Sequence, residues 1–186
     1  MECTKRGGRD KIGALSFADC LPLVRLRAQA MQEAVPEGTG AMAAILGLDD
    51  AGVIAACSEA AGGEVVEAVN FNSPGQVVIA GHAAAVKRGA DAAKARGAKR
   101  AVMLPVSAPF HSSLMAPAAR RLKEALAGLA VKAPSIPVVH NFDARTRTTP
   151  DGVREALVGQ ADHPVRWSQC IGAIADAGAS MVLECG

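Results

Sequence analysis

Between residues 40 and 107 the chain alternates short apolar runs with helical repeats in the order βαββαβ, and no other feature restricts the fold as tightly. Runs at 41–48, 64–71, 76–80 and 99–106 read as strands. Residues 49–61, opened by Asp49, and residues 83–96, stopped by Gly97, read as helices. Two such helices can cover one face of a four-stranded antiparallel sheet, so the stretch predicts a ferredoxin-like subdomain.

The flanks carry a different pattern. Ser16 followed by Asp19 marks a helix start of the capping-box kind, with Asp in place of Glu or Gln, and apolar residues then recur at helical spacing to Ala34. Pro22 removes one backbone hydrogen bond from that helix, which predicts a kink or a later start; Pro36 and Gly38 end it. After a loop at 107–110 come a helix over 113–129, a β-branched strand at 136–141, helices at 151–160 and 165–178, and a final strand at 181–184. This is an α/β layer interrupted by an insert, and two strands alone would leave its sheet with an uncovered edge. Residues 1–12 have no periodicity and read as an unanchored tail.

Charge and composition exclude several partners. The formal charge is +2, and Lys5, Arg6, Arg9 and Lys11 against Glu2 and Asp10 account for all of it, so the rest is neutral. With no Tyr, one Trp and four Phe there is little surface for stacking bases, so no nucleic-acid partner is expected. No apolar run is long enough to span a membrane, and the N-terminus lacks a signal peptide's apolar region; a cytoplasmic protein is expected. Cys3, Cys20, Cys57, Cys170 and Cys185 have no paired spacing, which predicts reduced, mostly buried thiols and no zinc site.

Two residues stand out for chemistry. His111 lies in a Pro-containing loop directly ahead of a helix, where the positive end of the helix dipole disfavours a second proton on the ring. It reads either as a neutral base or as a polar cap for that helix. Arg27 has Leu23, Val24, Ala30 and Met31 as its helical neighbours, which places a cation on the apolar side. Its fork suits a carboxylate from a ligand, or else a structural ion pair or a snorkelling side chain. Ser73, Ser107, Ser112 and Ser113 are possible nucleophiles for His111, but the chain contains no G-x-S-x-G elbow and no Gly-rich phosphate loop. His82, His140 and His163 have no metal-site spacing and read as structural, Trp167 reads as a packing anchor, and Asn70 to Gln76 reads as a turn.

Several stretches in order extend this reading: Arg25-Leu26-Arg27, Met31-Gln32-Glu33-Ala34, Gly38-Thr39-Gly40, the run from Val69 to Gly81 containing Asn70-Phe71-Asn72-Ser73-Pro74-Gly75-Gln76, Phe110-His111-Ser112 and Pro164-Val165-Arg166-Trp167. Together they resemble the malonyl-CoA:acyl carrier protein transacylase family of bacterial fatty-acid synthesis. The resemblance implies a partial α/β-hydrolase-like body over 13–37 and 105–186, with a ferredoxin-like subdomain inserted at 38–104. It implies a serine–histidine ping-pong transfer of malonyl from malonyl-CoA to the phosphopantetheine thiol of acyl carrier protein, with a coenzyme A thioester as substrate and no cofactor. On that basis His111 is the base, Gln160 orients it through a backbone carbonyl, Arg27 clamps the malonyl carboxylate, and Phe110 favours malonyl over bulkier branched groups.

The sequence also departs from the family. The G-H-S-x-G elbow would fall at or before Met1, the glutamine loop of the oxyanion hole is missing, and Glu184-Cys185-Gly186 resembles the start of an E-x-G-P-G turn. The expectation is a fragment, or a mis-started or frame-shifted reading of a longer gene, that is inactive by itself. The alternative is a non-catalytic module that binds malonyl-CoA or the carrier protein.

Overall fold

The computed structural model describes residues 12–106 and 108–183. It is an α/β fold with six α-helices among those residues: α1 (Phe17–Gln32), β1 (Gly40–Leu46), α2 (Asp50–Ala60), β2 (Val66–Ser73), β3 (Gln76–His82), α3 (Ala83–Ala95), β4 (Arg100–Met103), α4 (Ala116–Ala127), β5 (Val139–His140), β6 (Arg145–Thr146), α5 (Pro150–Asp162) and α6 (Trp167–Asp176). The Ser16 oxygen accepts from the Asp19 backbone N–H at 3.1 Å, as the capping pattern predicts. Helix α1 begins there and runs through Pro22, so the later start is not taken.

Strands β1 to β4 form one sheet in the order β2-β3-β1-β4, every pair antiparallel. Helices α2 and α3 bury one face of it, where Ile45, Val53, Val77, Ile79 and Val86 pack together almost without solvent contact. Each such side chain contributes about 1.5–3 kcal/mol by leaving water. The opposite face presents Met42, Val69, Val78 and Ala80, and Phe110 packs against it. A second core joins α1, α4 and α5 through Leu23, Leu122, Leu126, Val153 and Leu157.

A β-bulge at Val69 decides which side chains the sheet offers to the rest of the molecule. Ala68 pairs with Ile79 and Asn70 with Val78, so Val69 is one residue too many for the ladder. Strict alternation would send Val69 and Asn70 to opposite faces; the bulge lets both serve the face that carries Met42. The β2 edge is closed by a single parallel bridge to Val165, whose N–H donates to the Val69 carbonyl at 2.7 Å.

Several expectations are corrected. The strand expected at 136–141 shrinks to β5, because Pro137 has no N–H to give to a ladder. β5 pairs instead with β6, which the sequence pattern does not suggest; Ala144 makes the tight turn between them at φ 56°. Residues 181–183 form no strand and are exposed; Glu184 falls outside the described residues. The tail expected at 1–12 also lies outside them except for Ile12, which is anchored: its carbonyl accepts from the Ser135 N–H at 2.8 Å. Cys57 and Cys170 are free and buried, but Cys20 is disulfide-bonded rather than reduced. Burial, reinforced by the Glu67 charge, pushes the Cys57 thiol up to about 12.

Candidate active site

The loop from Ala108 to Ser112 carries His111 between the sheet and α4, and its shape follows from how tightly it is held. Gly40 at the start of β1 lies under it: a β-carbon there would stand 2.3 Å from Cδ of Pro109, so only glycine lets the loop approach this closely. Ser112 is fully buried and donates its hydroxyl hydrogen to the Pro109 carbonyl at 2.7 Å. His111 itself takes a left-handed backbone, φ 65°, which costs a non-glycine residue about 1–2 kcal/mol.

The His111 ring meets the carbonyl oxygen of Gln160 on α5, 3.1 Å from Nδ1. A carbonyl oxygen only accepts, so Nδ1 carries the proton and Nε2 keeps a lone pair. The ring does not cap the helix; the short 3-10 turn Ser113–Met115 that leads into α4 has no side-chain cap bond. Burial, and then the nearby Arg27 cation, lower the affinity of His111 for a second proton, against the opposing pull of the Gln160 carbonyl. The neutral ring expected from the helix dipole is therefore obtained mainly by desolvation.

Arg27, Met31, Met42, Asn70, Phe110 and His111 line one cavity of about 510 Å³. Burial lowers the pKa of the Arg27 guanidinium, and among the described residues no carboxylate pairs with it. A half-buried cation that no described carboxylate neutralises, beside a histidine with a free lone pair, describes a site for an anionic ligand at which a proton can be moved. Arg25, two positions away, is exposed.

Three of the four sequence-nominated residues thus share the cavity, with Gln160 behind the histidine. Asn70 and Met42 join them, and sequence reasoning does not reach either. The one sequence signal for Asn70 is a polar residue within the apolar run Val69-Asn70-Phe71, and the bulge that aims it is invisible to periodicity. The Ser112 hydroxyl is committed to the Pro109 carbonyl, Ser113 and Ser73 are exposed, and Ser107 lies outside the described residues. His82 accepts the Val65 N–H, and His163 bonds Asp162. Trp167, expected as a packing anchor, is 49% exposed and lines a second cavity of about 570 Å³. Among the described residues no cluster of His, Cys, Asp and Glu converges as metal ligands, and no helix is long and apolar enough to cross a membrane.

Comparison with known proteins decides the family: the acyl transferase domain matches residues 10–186. The chain belongs to the acyl transferase domain family. Malonyl CoA-acyl carrier protein transacylase of Escherichia coli is 55% identical to this acyl transferase chain over 174 residues, which cover 94% of the chain and 56% of the relative. The crystal structure of an acyl-carrier-protein S-malonyltransferase from Burkholderia pseudomallei superposes with a TM-score of 0.91 at 58% identity, covering 94% of this chain and 57% of that one. A second solved structure holds a type II PKS acyl-carrier protein in complex with its malonyl-transacylase; it matches at 50% identity and a TM-score of 0.88, covering 90% of this chain and 54% of that one. The chain thus spans a little over half the length of the relatives it matches.

The histidines of this acyl transferase chain give it a pH-dependent stability. His140, like His111, has a lowered pKa, chiefly from burial and next from the Arg147 charge. Both bind a proton less readily folded than unfolded, so below the ordinary value of about 6.5 the unfolded chain takes up more protons. Stability is expected to hold above that pH and to decline as the pH falls through the window below it. Thermal melts between neutrality and mild acid test this: Tm should drop on acidification, and less steeply in His140→Asn. A melting temperature that rises on acidification would count against it.

Proposed function

We propose that this chain supplies the histidine and arginine half of a malonyl-CoA:acyl carrier protein transacylase, the enzyme that moves malonyl from coenzyme A to the phosphopantetheine thiol of acyl carrier protein. One observation carries the reading: Arg27, unpaired by any described carboxylate, lines the same cavity as His111, whose Nδ1–H is held by a carbonyl. The matches above support it. In this reading Arg27 takes the free malonyl carboxylate through two parallel hydrogen bonds, Phe110 limits the size of the acyl group, and Gln160 holds the His111 ring.

The proposed chemistry is a two-step exchange. His111 Nε2 takes the proton of a serine hydroxyl as its oxygen attacks the thioester carbon; the tetrahedral intermediate collapses, and the departing sulfur receives that proton as coenzyme A leaves. The same Nε2 then takes the proton of the phosphopantetheine thiol, which attacks the malonyl-serine and regenerates the hydroxyl. A coenzyme A thioester is the substrate, and no step calls for a metal or other cofactor. The division into a hydrolase-like body at 13–37 and 105–186, with a ferredoxin-like insert at 38–104, belongs to the same reading. It is supported by the antiparallel order β2-β3-β1-β4 with both helices on one face.

The 186 residues contain no G-x-S-x-G elbow, so by itself this chain should bind malonyl-CoA without forming an acyl-enzyme. Incubation with malonyl-CoA followed by intact-mass measurement is expected to show no added malonyl group, while calorimetry shows binding. A stoichiometric adduct would overturn the first expectation. Absence of binding would overturn the proposed function and the binding-module alternative together.

A further inference from the structure

Glu67 lies on β2, opposite Ala80, and so on the sheet face that carries Met42 and meets Phe110. Its Oε2 accepts the backbone N–H of Ser113 at 2.8 Å, 46 residues away in sequence and two residues after His111. The histidine loop is therefore held at three points: the ring by the Gln160 carbonyl, the preceding turn by the Ser112 hydroxyl on Pro109, and the following backbone by a carboxylate from the sheet. The first two holds come from the segment that carries the loop and from α5, which packs beside it. The third alone ties the strained loop to the four-stranded sheet by a charge-assisted bond.

We propose that Glu67 is a positioning residue for His111, its carboxylate fixing the Ser113 backbone so that the left-handed histidine keeps its ring on Gln160 and its Nε2 toward the cavity. A residue at φ 65° stays there only while its surroundings outweigh the strain. Release of the Ser113 N–H frees the loop to relax toward an ordinary backbone, which swings the ring toward water. This inference rests on His111 being the base proposed above, but its test does not require transfer or substrate.

The test is an NMR titration of the His111 ring in the 186-residue chain, assigned with His111→Asn, and repeated in Glu67→Ala, Glu67→Gln and Ser113→Pro. Glu67→Ala removes the acceptor. Ser113→Pro removes the donor without disturbing the fold: Ser113 opens a helical turn, where proline is tolerated, and Ser112 is already extended at φ −88°, ψ 167°, as the residue before a proline must be. In both variants the His111 pKa should rise toward its ordinary value, because the burial that depresses it is relaxed. Glu67→Gln keeps an amide oxygen for the Ser113 N–H and should titrate like the parent. The double variant Glu67→Ala/Ser113→Pro should shift no further than either single one, since both break one bond.

A His111 titration unchanged in a folded Glu67→Ala or Ser113→Pro chain would overturn the proposal. So would a shift in Glu67→Gln equal to that in Glu67→Ala, which would assign the effect to charge alone, or an additive double variant. If Glu67→Ala does not fold, Ser113→Pro and Glu67→Gln still decide the question. Failure of malonyl-CoA binding with the expected titrations would reject the proposed function and leave the role of Glu67 standing.

Discussion

Arg27→Ala is expected to weaken malonyl-CoA binding by roughly a hundredfold and to leave acetyl-CoA binding unchanged. The guanidinium is half-buried in the His111 cavity and no described carboxylate neutralises it, so a ligand carboxylate placed there gains charge-assisted hydrogen bonds shielded from bulk water. Loss of bonds to a charged group costs about 3 kcal/mol, equivalent to about two decades in Kd. Acetyl-CoA has no second carboxylate and cannot register the loss. Arg27→Lys keeps the charge without the fork and should fall between the two, about tenfold weaker than the parent. Calorimetric titration of both thioesters checks this; equal losses for malonyl-CoA and acetyl-CoA would show that Arg27 supports the cavity rather than the ligand. The same Arg27→Ala chain should show a higher His111 pKa, because the neighbouring cation that disfavours protonation is gone.

Gly81→Ala is expected to cost about 3 kcal/mol or more in stability. Gly81, the last residue but one of β3, lies against the backbone at the start of β2, where the His82 N–H donates to the Val65 carbonyl at 2.8 Å and the Val65 N–H donates to the His82 ring at 2.9 Å. An added β-carbon would stand 2.0 Å from the Val65 oxygen and 2.7 Å from the Val66 Cα. These are backbone atoms tied into the central hairpin, so no side chain can swing aside, and the strands must separate. At a urea dependence of about 2 kcal/mol per molar, the unfolding midpoint should fall by roughly 1.5 M. Gly172 in α6 is the control: a β-carbon added there would meet nothing within 4 Å, and Gly172→Ala should be neutral or stabilising by up to about 1 kcal/mol. Equal midpoints for Gly81→Ala and the parent would refute the packing argument.

The order of the six helices and of strands β1 to β4 is legible in the sequence because it rests on local rules. Ser16 and Asp49 cap helices through bonds three residues long, and the short continuous apolar runs of β1 and β3 mark strands covered on both faces. The strand expected at the end fails for the complementary reason: residues 181–183 have strand composition, but a strand exists only where another offers its edge. The β5–β6 pairing escapes sequence reading because it depends on Ala144 holding a positive φ, which alanine does not advertise.

At the site, local pattern is enough to nominate Arg27 as a cation on an apolar helix face and His111 as a histidine in a loop before a helix. Pattern cannot show that the two share a cavity, or that burial more than the helix dipole keeps the imidazole neutral. It also cannot reach Asn70, which one extra residue in β2 brings to the cavity face, or Glu67, which meets the histidine loop across 46 residues. Caps, periods and turn residues act within a few positions, so the linear chain carries them. Desolvation, a left-handed histidine and a carboxylate on a distant amide exist only once the sheet, the loop and α5 have packed against one another.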